Sequence, residues 1–386
     1  MDIRIFDQEL NPVGVVDNLE TVMWYIRYWK PGEFKIYAPM TDANLELLQT
    51  GYIVVKHDEY IDYTDSDGNV WRRGGEITDV EYSLDTHGKE IIEAKGYFLA
   101  KWLWKRACYP AVAMSGTRQE IINALVSQNM GEDADEERQF PQFEIITQDD
   151  LETSEADYSS DTYSQVGDEI QDICQAVKLG FDILINERDQ LYGFYLYKGI
   201  DLTSSNSDGN TPCIFSRDFD NVNKQEYEAS TENYKNHVYV LGKEDDEGER
   251  YLVEVDDEEL TGLDRNETII SASGVSRYEE DEDGNRTQIS DTLYASYLET
   301  EGEEELEEDA ATYTFEPEIN MLSNLTYLED YSIGDRITCT DKSWGLTINS
   351  RITEIVQTYE EKGVTFEATF GESTPTLIEA VRKATK

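Results

Sequence analysis

Apolar and polar residues alternate through much of the first 100 positions. In residues 21–29 every second side chain is apolar, which is typical of a half-buried strand, and this face holds Val22, Trp24, Ile26 and Tyr28. Shorter alternating runs predict further strands at 3–6, 13–16, 34–37, 53–56 and 70–73. Asp42 is expected to cap a short helix. The opening segment is therefore predicted to form a small barrel of roughly six or seven strands.

The pattern changes after Gly96. A tryptophan-rich stretch at 97–107 precedes a helix predicted over 118–129, whose apolar face holds Ile121, Ile122, Leu125 and Val126. A second helix is predicted over 166–179, and strands are predicted at 143–146, 181–185 and 191–197. Helices that alternate with short strands indicate an α+β layer beside the barrel.

Strands dominate again from Ile214 onward. A long strand pair is predicted at 234–242 and 250–255, and an acidic hairpin with Asp283 at its tip comes later. A helix is predicted over 290–308 and a strand over 312–316. The last β segment covers 331–371, and a short helix is expected to start at Thr374 and Pro375 and to cover 376–384.

Two distant segments share one pattern of strand, turn and strand. The matched positions keep a constant offset, since 352−77, 363−88 and 371−96 all equal 275. The identical residues are Ile77, Thr78, Gly88 and Gly96 in the first block and Ile352, Thr353, Gly363 and Gly371 in the second. Each block follows a strand that starts at a glycine, Gly51 or Gly334. An internal repeat explains this match, and so does chance similarity between two ordinary hairpins.

Length and charge narrow the possible classes of protein. The 386 residues suggest about two to four domains, and a hydrophobic content of 39% is sufficient for folded cores. Asp and Glu number 83 against 32 Lys and Arg, which gives a formal charge of −51. Stable nucleic-acid binding is not expected, because it needs basic side chains that displace counterions. The acidic excess indicates solubility or adaptation to salt, or else a surface past which DNA slides.

Candidate chemistry is sparse in this sequence. The three histidines, His57, His87 and His237, do not have the spacing of a zinc site. Four separated cysteines give neither a metal knuckle nor a disulfide framework, so reduced thiols are expected; they are Cys108, Cys174, Cys213 and Cys339. No phosphate-binding loop or serine-nucleophile motif occurs. We therefore predict no catalytic, cofactor-binding or metal-binding residues, no cofactor, no signal peptide and no membrane-inserted segment.

Some weaker signals leave alternatives open. Residues 65–69 are similar to the start of a calcium loop, but Gly68 stands two places early and Arg72 and Arg73 follow, so a hairpin turn is favoured there. The same interpretation applies to the Asp-Gly-Asn sequences at Asp208 and Asp283.

Two tryptophans and the many carboxylates raise the question of a sugar-binding or glycoside-hydrolase site. Trp102 and Trp104 could stack on a sugar, although packing in a core or interface is favoured. A glycoside hydrolase needs two suitably placed carboxylates, and no pair stands out among the 83 acidic residues.

The two ends of the chain resemble the tail-tip proteins of siphoviruses and prophages, also known as tail-associated or baseplate-hub-like structural proteins. The most specific landmark is the sequence Gly32, Glu33 and Phe34 after an aromatic-rich strand. Further landmarks follow in order along nearly the whole chain, at 1–7, 15–17, 216–222, 235–242, 330–335, 352–355 and 370–371.

The resemblance implies a β-rich α+β multidomain fold with two similar small β-barrel domains plus two α+β domains. Together with the predicted elements, it places the first barrel at 1–105 with about 190–230 returning, and the second at 231–265 plus 326–371. The α+β domains then cover 106–189 and 266–325, and a C-terminal helix covers 372–386. The resemblance also implies a homotrimer, in which two barrels per subunit imitate a six-fold ring.

The function implied by the resemblance is that of a structural tail-tip or baseplate hub protein, without enzymatic activity. It would be made in the host cytoplasm and reside in the virion tail tip, where a trimeric ring closes the tail tube and lets DNA pass. The expected partners are a distal tail protein or the tube above, and a fibre, receptor-binding or lytic protein below. Because the sequence stops soon after Gly371, no hydrolase extension is expected.

Two alternatives remain at the level of sequence. One is a cell-wall or polysaccharide hydrolase of the tail tip that uses paired carboxylates. The other is a component of a related injection machine with the same fold.

Overall fold

The computed structural model describes residues 1–84, 88–146, 151–160, 164–244, 250–256, 260–272, 275–280, 286–309, 311–320 and 323–375. These residues form two compact units. The larger unit contains the described residues up to 226 and from 315 onward, and the smaller unit contains those of 227–314. None of the helices in the described part of the chain combines the length and the apolar character that crossing a membrane requires.

The larger unit begins with eight strands and one short helix: β1 (Asp2–Phe6), β2 (Pro12–Val16), β3 (Thr21–Arg27), β4 (Glu33–Pro39), α1 (Asp42–Leu47), β5 (Ile53–His57), β6 (Tyr63–Thr64), β7 (Val70–Leu84) and β8 (Glu90–Phe98). Antiparallel pairs connect them in the order β2–β1–β5–β7–β8–β4–β3. Alternate residues of β3 and β4 are buried, as the alternation predicts. The predicted cap of α1 is wrong: Thr41, not Asp42, accepts the amide of Asn44, and Asp42 lies in the first turn.

The next segment contains the 3-10 helix Leu99–Lys105, β9 (Ala113–Thr117), α2 (Arg118–Met130), β10 (Phe143–Ile145), β11 (Glu155–Ser159), α3 (Val166–Val177), β12 (Gly180–Asn186), β13 (Leu191–Tyr197), β14 (Ile214–Phe215), the 3-10 helix Arg217–Phe219 and β15 (Val222–Ser230). Both predicted helices are confirmed. α2 starts with a capping box between Thr117 and Glu120. The sequence pattern does not predict β11, which pairs with β9, because polar residues dominate it.

α2 and α3 share one hydrophobic core with β12 and β13. The core includes Ile121 and Ile170 from the helices, Phe181 from β12, and also Phe6 and Ile53 from the opening strands. Full burial of each such side chain contributes about 1.5–3 kcal/mol. The helices are thus fixed directly on the opening strands.

The smaller unit contains β16 (His237–Glu244), β17 (Arg250–Asp256), the 3-10 helix Gly262–Asp264, β18 (Glu267–Ser271), β19 (Tyr278–Glu280), β20 (Arg286–Gln288) and α4 (Asp291–Glu308). β16 pairs antiparallel with β17 and parallel with β18. α4 packs Tyr294 and Leu298 against Val238 and Val240. The predicted strand pair, acidic hairpin and helix are confirmed, and the hairpin tip at Asp283 lies outside the described residues.

The last strands are β21 (Thr312–Ile319), β22 (Arg336–Asp341), β23 (Leu346–Glu360) and β24 (Gly363–Pro375). They pair antiparallel in the order β21–β24–β23–β22, β15 pairs with β21, and β14 pairs parallel with β22. The helix start predicted at Thr374 and Pro375 is wrong, because both residues continue β24 opposite Asn349 and Ile348 of the long strand β23. The helix predicted over 376–384 lies outside the described residues.

Candidate functional site: two equivalent hairpins

The hairpin of β7 and β8 and the hairpin of β23 and β24 share an internal geometry. β7 and β23 are both 15 residues long. In each, the register shifts directly after the matched isoleucine, Ile77 in the first hairpin and Ile352 in the second. Such a bulge bends a strand and increases its twist. Both hairpins therefore bend at the repeated threonine, Thr78 or Thr353.

The strand that precedes each hairpin is bonded to it in the same way. The amide of Gly51 donates to the carbonyl of Ile77 over 2.8 Å, and the amide of Gly334 donates to the carbonyl of Ile352 over 2.8 Å. Both glycines have a left-handed φ, 88° at Gly51 and 92° at Gly334, which residues with a Cβ rarely adopt. β5 and β22 then continue along β7 and β23 with the same register. The two sequence blocks thus share this entry geometry and the shift after the isoleucine, while β23 has one further register shift, directly after Asn349.

The last glycines of the two blocks, Gly96 and Gly371, are not structurally equivalent. The offset of 275 residues found in the sequence therefore does not hold through both strands of the hairpins. Gly96 lies opposite Ile77, but Phe370, not Gly371, lies opposite Ile352. The offset of 275 therefore holds for the first strand of each hairpin and is one residue too large for the second. The connections also differ, because residues 85–89 join β7 to β8 and residues 361–362 join β23 to β24.

β3 connects the two hairpins through one joint, which we call the internal joint (β3 with residues 354–360). The pairing is antiparallel and runs from Arg27 opposite Glu354 to Thr21 opposite Glu360. The Arg27 guanidinium donates to the Glu354 carboxylate with an Nε–Oε2 distance of 2.6 Å across 327 residues of sequence. β3 therefore pairs with β4 in the sheet of the first hairpin and also with residues 354–360 of β23. We call this part of the second hairpin, which is nearer its turn, the outer half; in the first hairpin the outer half is residues 79–84 of β7.

A buried polar cluster lies at the internal joint. Lys56 Nζ is 2.5 Å from Asp58 Oδ2 and 2.8 Å from Tyr359 Oη, and it also donates to Gln357. Burial lowers the pKa of Lys56, and the Asp58 carboxylate opposes that shift. A buried cation is stable only when its partners satisfy it, so the cluster fixes how the joint packs. A lysine directly after three apolar residues is the sequence signal that could have predicted this cluster.

A second buried charge fixes the first hairpin to the helical layer. Arg73 of β7 donates to Asp182 of β12 with an Nε–Oδ2 distance of 2.7 Å, and it also pairs with Asp62. Burial raises the pKa of Asp182 to about 6, although Arg73 opposes that shift. These charges hold elements together in the fold.

The histidines have structural partners where the structure describes them. His57 Nε2 lies 2.6 Å from Glu187 Oε1. His237 is 1% exposed, pairs with Asp256 and lies 2.6 Å from the Arg265 guanidinium. His87 lies outside the described residues. Within the described ranges, no three His, Cys, Asp or Glu side chains are grouped as a metal site would require.

The segment 65–69 forms a hairpin turn between β6 and β7. The Asp65 carboxylate accepts the amides of Asp67 and Asn69 at 3.0 and 2.8 Å, and also the Asn69 side chain and the Trp71 indole. Protein donors thus occupy both carboxylate oxygens, as the hairpin interpretation predicts. The sequence at Asp208 lies in a loop between β13 and β14, which do not pair, so the hairpin predicted there is wrong.

Trp102 and Trp104 are used in packing. The Trp102 indole donates to Glu76 and the Trp104 indole donates to Asp168, with N–O distances of 2.7 and 2.6 Å. Both rings line a cavity of about 240 Å³ in which Glu76 is the only carboxylate among the described lining residues, and Glu76 also pairs with Lys105.

A second, open cavity of about 950 Å³ lies between β1, β2 and β7. Among its described lining residues, Glu187 is the only carboxylate, and it pairs with Arg4 and His57. Neither of these two cavities therefore holds the pair of carboxylates that glycoside hydrolysis needs.

Solved structures of other proteins have a similar fold over nearly the whole chain. The structure superposes on the 43 kDa tail protein of prophage MuSo2 from Shewanella oneidensis with a TM-score of 0.61 and 13% sequence identity, covering 96% of this chain and 98% of that chain. It superposes on the tail protein from Neisseria meningitidis MC58 with a TM-score of 0.55 and 14% identity, covering 96% of both chains. At these identities the similarity shows the fold, which is the β-rich fold of phage tail proteins.

Sequence comparison gives the family. No curated protein matches the chain in sequence. A profile of one viral family does match, from residue 2 to residue 372, and it confirms the resemblance noted in the sequence. The chain belongs to the family described as Siphovirus ReqiPepy6 Gp37-like protein.

Proposed function

We propose that this protein is a structural tail-tip or baseplate hub protein of a phage or prophage, and that three copies form a ring at the end of the tail tube. The observation that carries the proposal is a pair of hairpins within one chain that share a register and a bulge. Each is also preceded by a left-handed glycine, Gly51 or Gly334, which bonds to the matched isoleucine and which we call the entry glycine. Three chains then supply six similar modules, which can mate with a six-fold tube.

Each hairpin would belong to one of two similar small barrels, and two α+β domains would accompany them. The strands bonded around the first hairpin and the second hairpin support this division, since β5, β7, β8 and β4 correspond to β22, β23, β24 and β21 in order. The proposed location is the virion tail tip. The proposed partners are the tube or a distal tail protein above, and a fibre, receptor-binding or lytic protein below.

The acidic surplus supports a channel through which DNA passes without binding. A formal charge of −51 opposes nucleic-acid binding, because cationic side chains are needed to displace counterions. A non-enzymatic role is supported by the two cavities described above, each with one carboxylate that is already paired.

Native mass spectrometry and negative-stain imaging of the purified protein test this function. The expected result is a species of three chains that appears as a ring with six similar lobes. A stable assembly of another copy number, or a chain that stays monomeric at all concentrations tested, would overturn the hub proposal. Digestion of cell walls or polysaccharide by the purified chain would instead support the hydrolase.

A further inference from the structure

The outer half of the first hairpin is open where that of the second is covered. In β23 the residues Ile355, Gln357 and Tyr359 are 0%, 1% and 7% exposed beneath the internal joint. The equivalent positions of β7, at the offset of 275, are 80, 82 and 84. Tyr82 is 52% exposed and Leu84 is 67% exposed. One hairpin thus has apolar side chains in solvent at positions that the other buries.

The open half also lacks a strand partner on one edge. Residues 79–84 pair with β8 on one side, and no described strand pairs with their other side. An unpaired edge with exposed apolar residues is a template for another strand. In the second hairpin, β3 occupies this position.

The strand that corresponds to β3 is β15. β3 lies beside β4, whose Phe34 is opposite Gly96, and β15 lies beside β21, whose Phe315 is opposite Phe370. Gly96 and Phe370 are the residues opposite the two matched isoleucines, so β4 and β21 are equivalent strands. Their neighbours on the far side from the hairpins, β3 and β15, are then equivalent as well. Within the described strands, β21 is the one partner of β15. Five of its nine residues are exposed: Asn223, Lys224, Glu226, Glu228 and Ala229.

We propose that β15 of one copy pairs antiparallel with residues 79–84 of β7 in a neighbouring copy, which repeats between chains the joint that β3 and β23 make within one chain. This inference rests on the proposed ring and names the two edges that close it. Each copy offers one edge of each kind, so the contact is head-to-tail and closes into a ring when the rotation allows.

The equivalences also give the register. The backbone amide of Asn320 donates to the carbonyl of Asn221, and the side-chain amide of Asn223 donates to the Glu318 carboxylate over 3.3 Å. Both contacts align β15 antiparallel on β21. Transferring the register of the internal joint then places Glu226 opposite Tyr82 and Gln225 opposite Ser83 of the next copy.

The amide of Tyr82 is one that points to the open edge. In β8, Phe98 donates its amide to Gly32 beside β4, so the odd-numbered residues of β8 bond to β7. Their partners in β7 are residues 79, 81 and 83. The intervening residues, including Tyr82, therefore direct their backbone groups away from β8.

Cross-linking between copies tests the proposed joint. Cysteines are introduced as Tyr82→Cys with Glu226→Cys in the full chain, because these two positions are opposite each other in the transferred register and their side chains lie on the same face of the sheet. A short bis-maleimide then links them. The four native cysteines are buried and should not react. The matched control combines Glu226→Cys with Val15→Cys, because Val15 is also exposed, at 49%, on a different strand.

We expect the gel band of the test pair to shift from monomer to covalent trimer, and that of the control pair to stay at monomer. Rings of three chains that cross-link no better through the test pair than through the control would overturn this joint and leave the hub function standing. Absence of both rings and cross-links would overturn both.

A backbone substitution gives a second readout. Tyr82→Pro removes the amide that points to the open edge while the bonds between β7 and β8 remain, and Tyr82→Ala keeps that amide. We expect loss of the three-chain species in size-exclusion chromatography for Tyr82→Pro, retention for Tyr82→Ala, and thermal unfolding of the isolated chain at a similar temperature in both. Retention of the ring in Tyr82→Pro would contradict the joint.

Discussion

The two hairpins have the same register and the same bulge, yet one is covered by a strand and the other is open. At equivalent positions, Gln357 is 1% exposed and Tyr82 is 52% exposed. The entry glycines differ in the same sense: a Cβ on Gly334 would lie 2.1 Å from the ring of Tyr28, whereas one on Gly51 would meet its nearest atom at 4.0 Å. Neighbours, not the hairpins' own pairing, therefore determine which positions are critical for stability.

The largest effect is expected at the covered hairpin, where Lys56→Met removes the cation of the buried cluster. Asp58, Gln357 and Tyr359 then lose their shared donor. We expect the free energy of unfolding to fall by about 3–5 kcal/mol, measured by urea denaturation.

The matched control for Lys56→Met is Lys95→Met at the open hairpin. Lys95 pairs with Asp79 at 3.3 Å, and both side chains are exposed. The loss in the free energy of unfolding should be far smaller there, because solvent screens an exposed pair. Equal losses for the two lysines would contradict the contrast between a covered and an open hairpin.

The entry glycines offer the next contrast. Gly334→Ala combines a left-handed backbone, which costs about 1–2 kcal/mol with a side chain, with overpacking against the buried ring of Tyr28, which costs about 1–3 kcal/mol. Gly51→Ala incurs only the first cost, because space is open around it. Urea denaturation of both variants should therefore rank Gly334→Ala well below Gly51→Ala, and the reverse order would break the comparison.

A second buried carboxylate, Asp341, ends β22 at the position that Asp58 holds directly after β5, since the two strands align at the offset 334−51 = 283. Asp341 is buried, and burial raises its pKa, but hydrogen bonds from Ser343, the Trp344 amide, Arg217 and Gln225 outweigh burial and hold the pKa well below its usual range. Asp341→Asn is expected to lower the free energy of unfolding by about 1.5–3 kcal/mol at neutral pH.

The pH dependence of Asp341→Asn has a definite sign. Because the folded pKa is lowered, the stabilisation is present above the unfolded pKa of about 3.9 and is lost as pH falls toward the folded value. The difference from wild type, measured by urea denaturation, should thus be constant near neutral pH and shrink below about pH 4. A control, Asp218→Asn, removes an exposed pair with Lys342 and should change stability by less than about 1 kcal/mol at any pH.

The smallest effect concerns salt and the open edge. Acidic residues border both proposed edges, with Asp79 and Glu81 on β7 and Glu226 on β15, and the whole chain carries a charge of −51. Screening at higher ionic strength should therefore strengthen self-association, because the Debye length falls from about 30 Å at 0.01 M to about 8 Å at 0.15 M. Sedimentation velocity at several salt concentrations measures this, and association that weakens with salt would indicate that attraction between charges drives it instead.

Local patterns in the sequence predict much of the fold because the spacing of apolar residues reflects which side chains are buried. The alternation in β3 and the capping residues of α2 lead directly to observed elements. β15 gives no such signal, since only Val222 among its nine residues is buried. A strand whose faces and edge stay open in the single chain has few apolar positions to reveal it.

Contacts between distant segments account for the rest of what the sequence does not predict. The repeat correctly aligns Ile77 with Ile352, but it misaligns Gly96 with Gly371, because sequence offsets do not record where a strand shifts its register. The internal joint unites Arg27 with Glu354, and neither residue carries a local sign of the other.

A cryo-EM reconstruction of the assembled ring tests most directly whether paired modules within one chain build a six-fold collar from three chains. We predict six hairpins at near-equal angular spacing, with β3 beside residues 354–360 within each chain and β15 beside residues 79–84 between chains. A ring in which β7–β8 and β23–β24 are not related by a rotation about the central axis would contradict it.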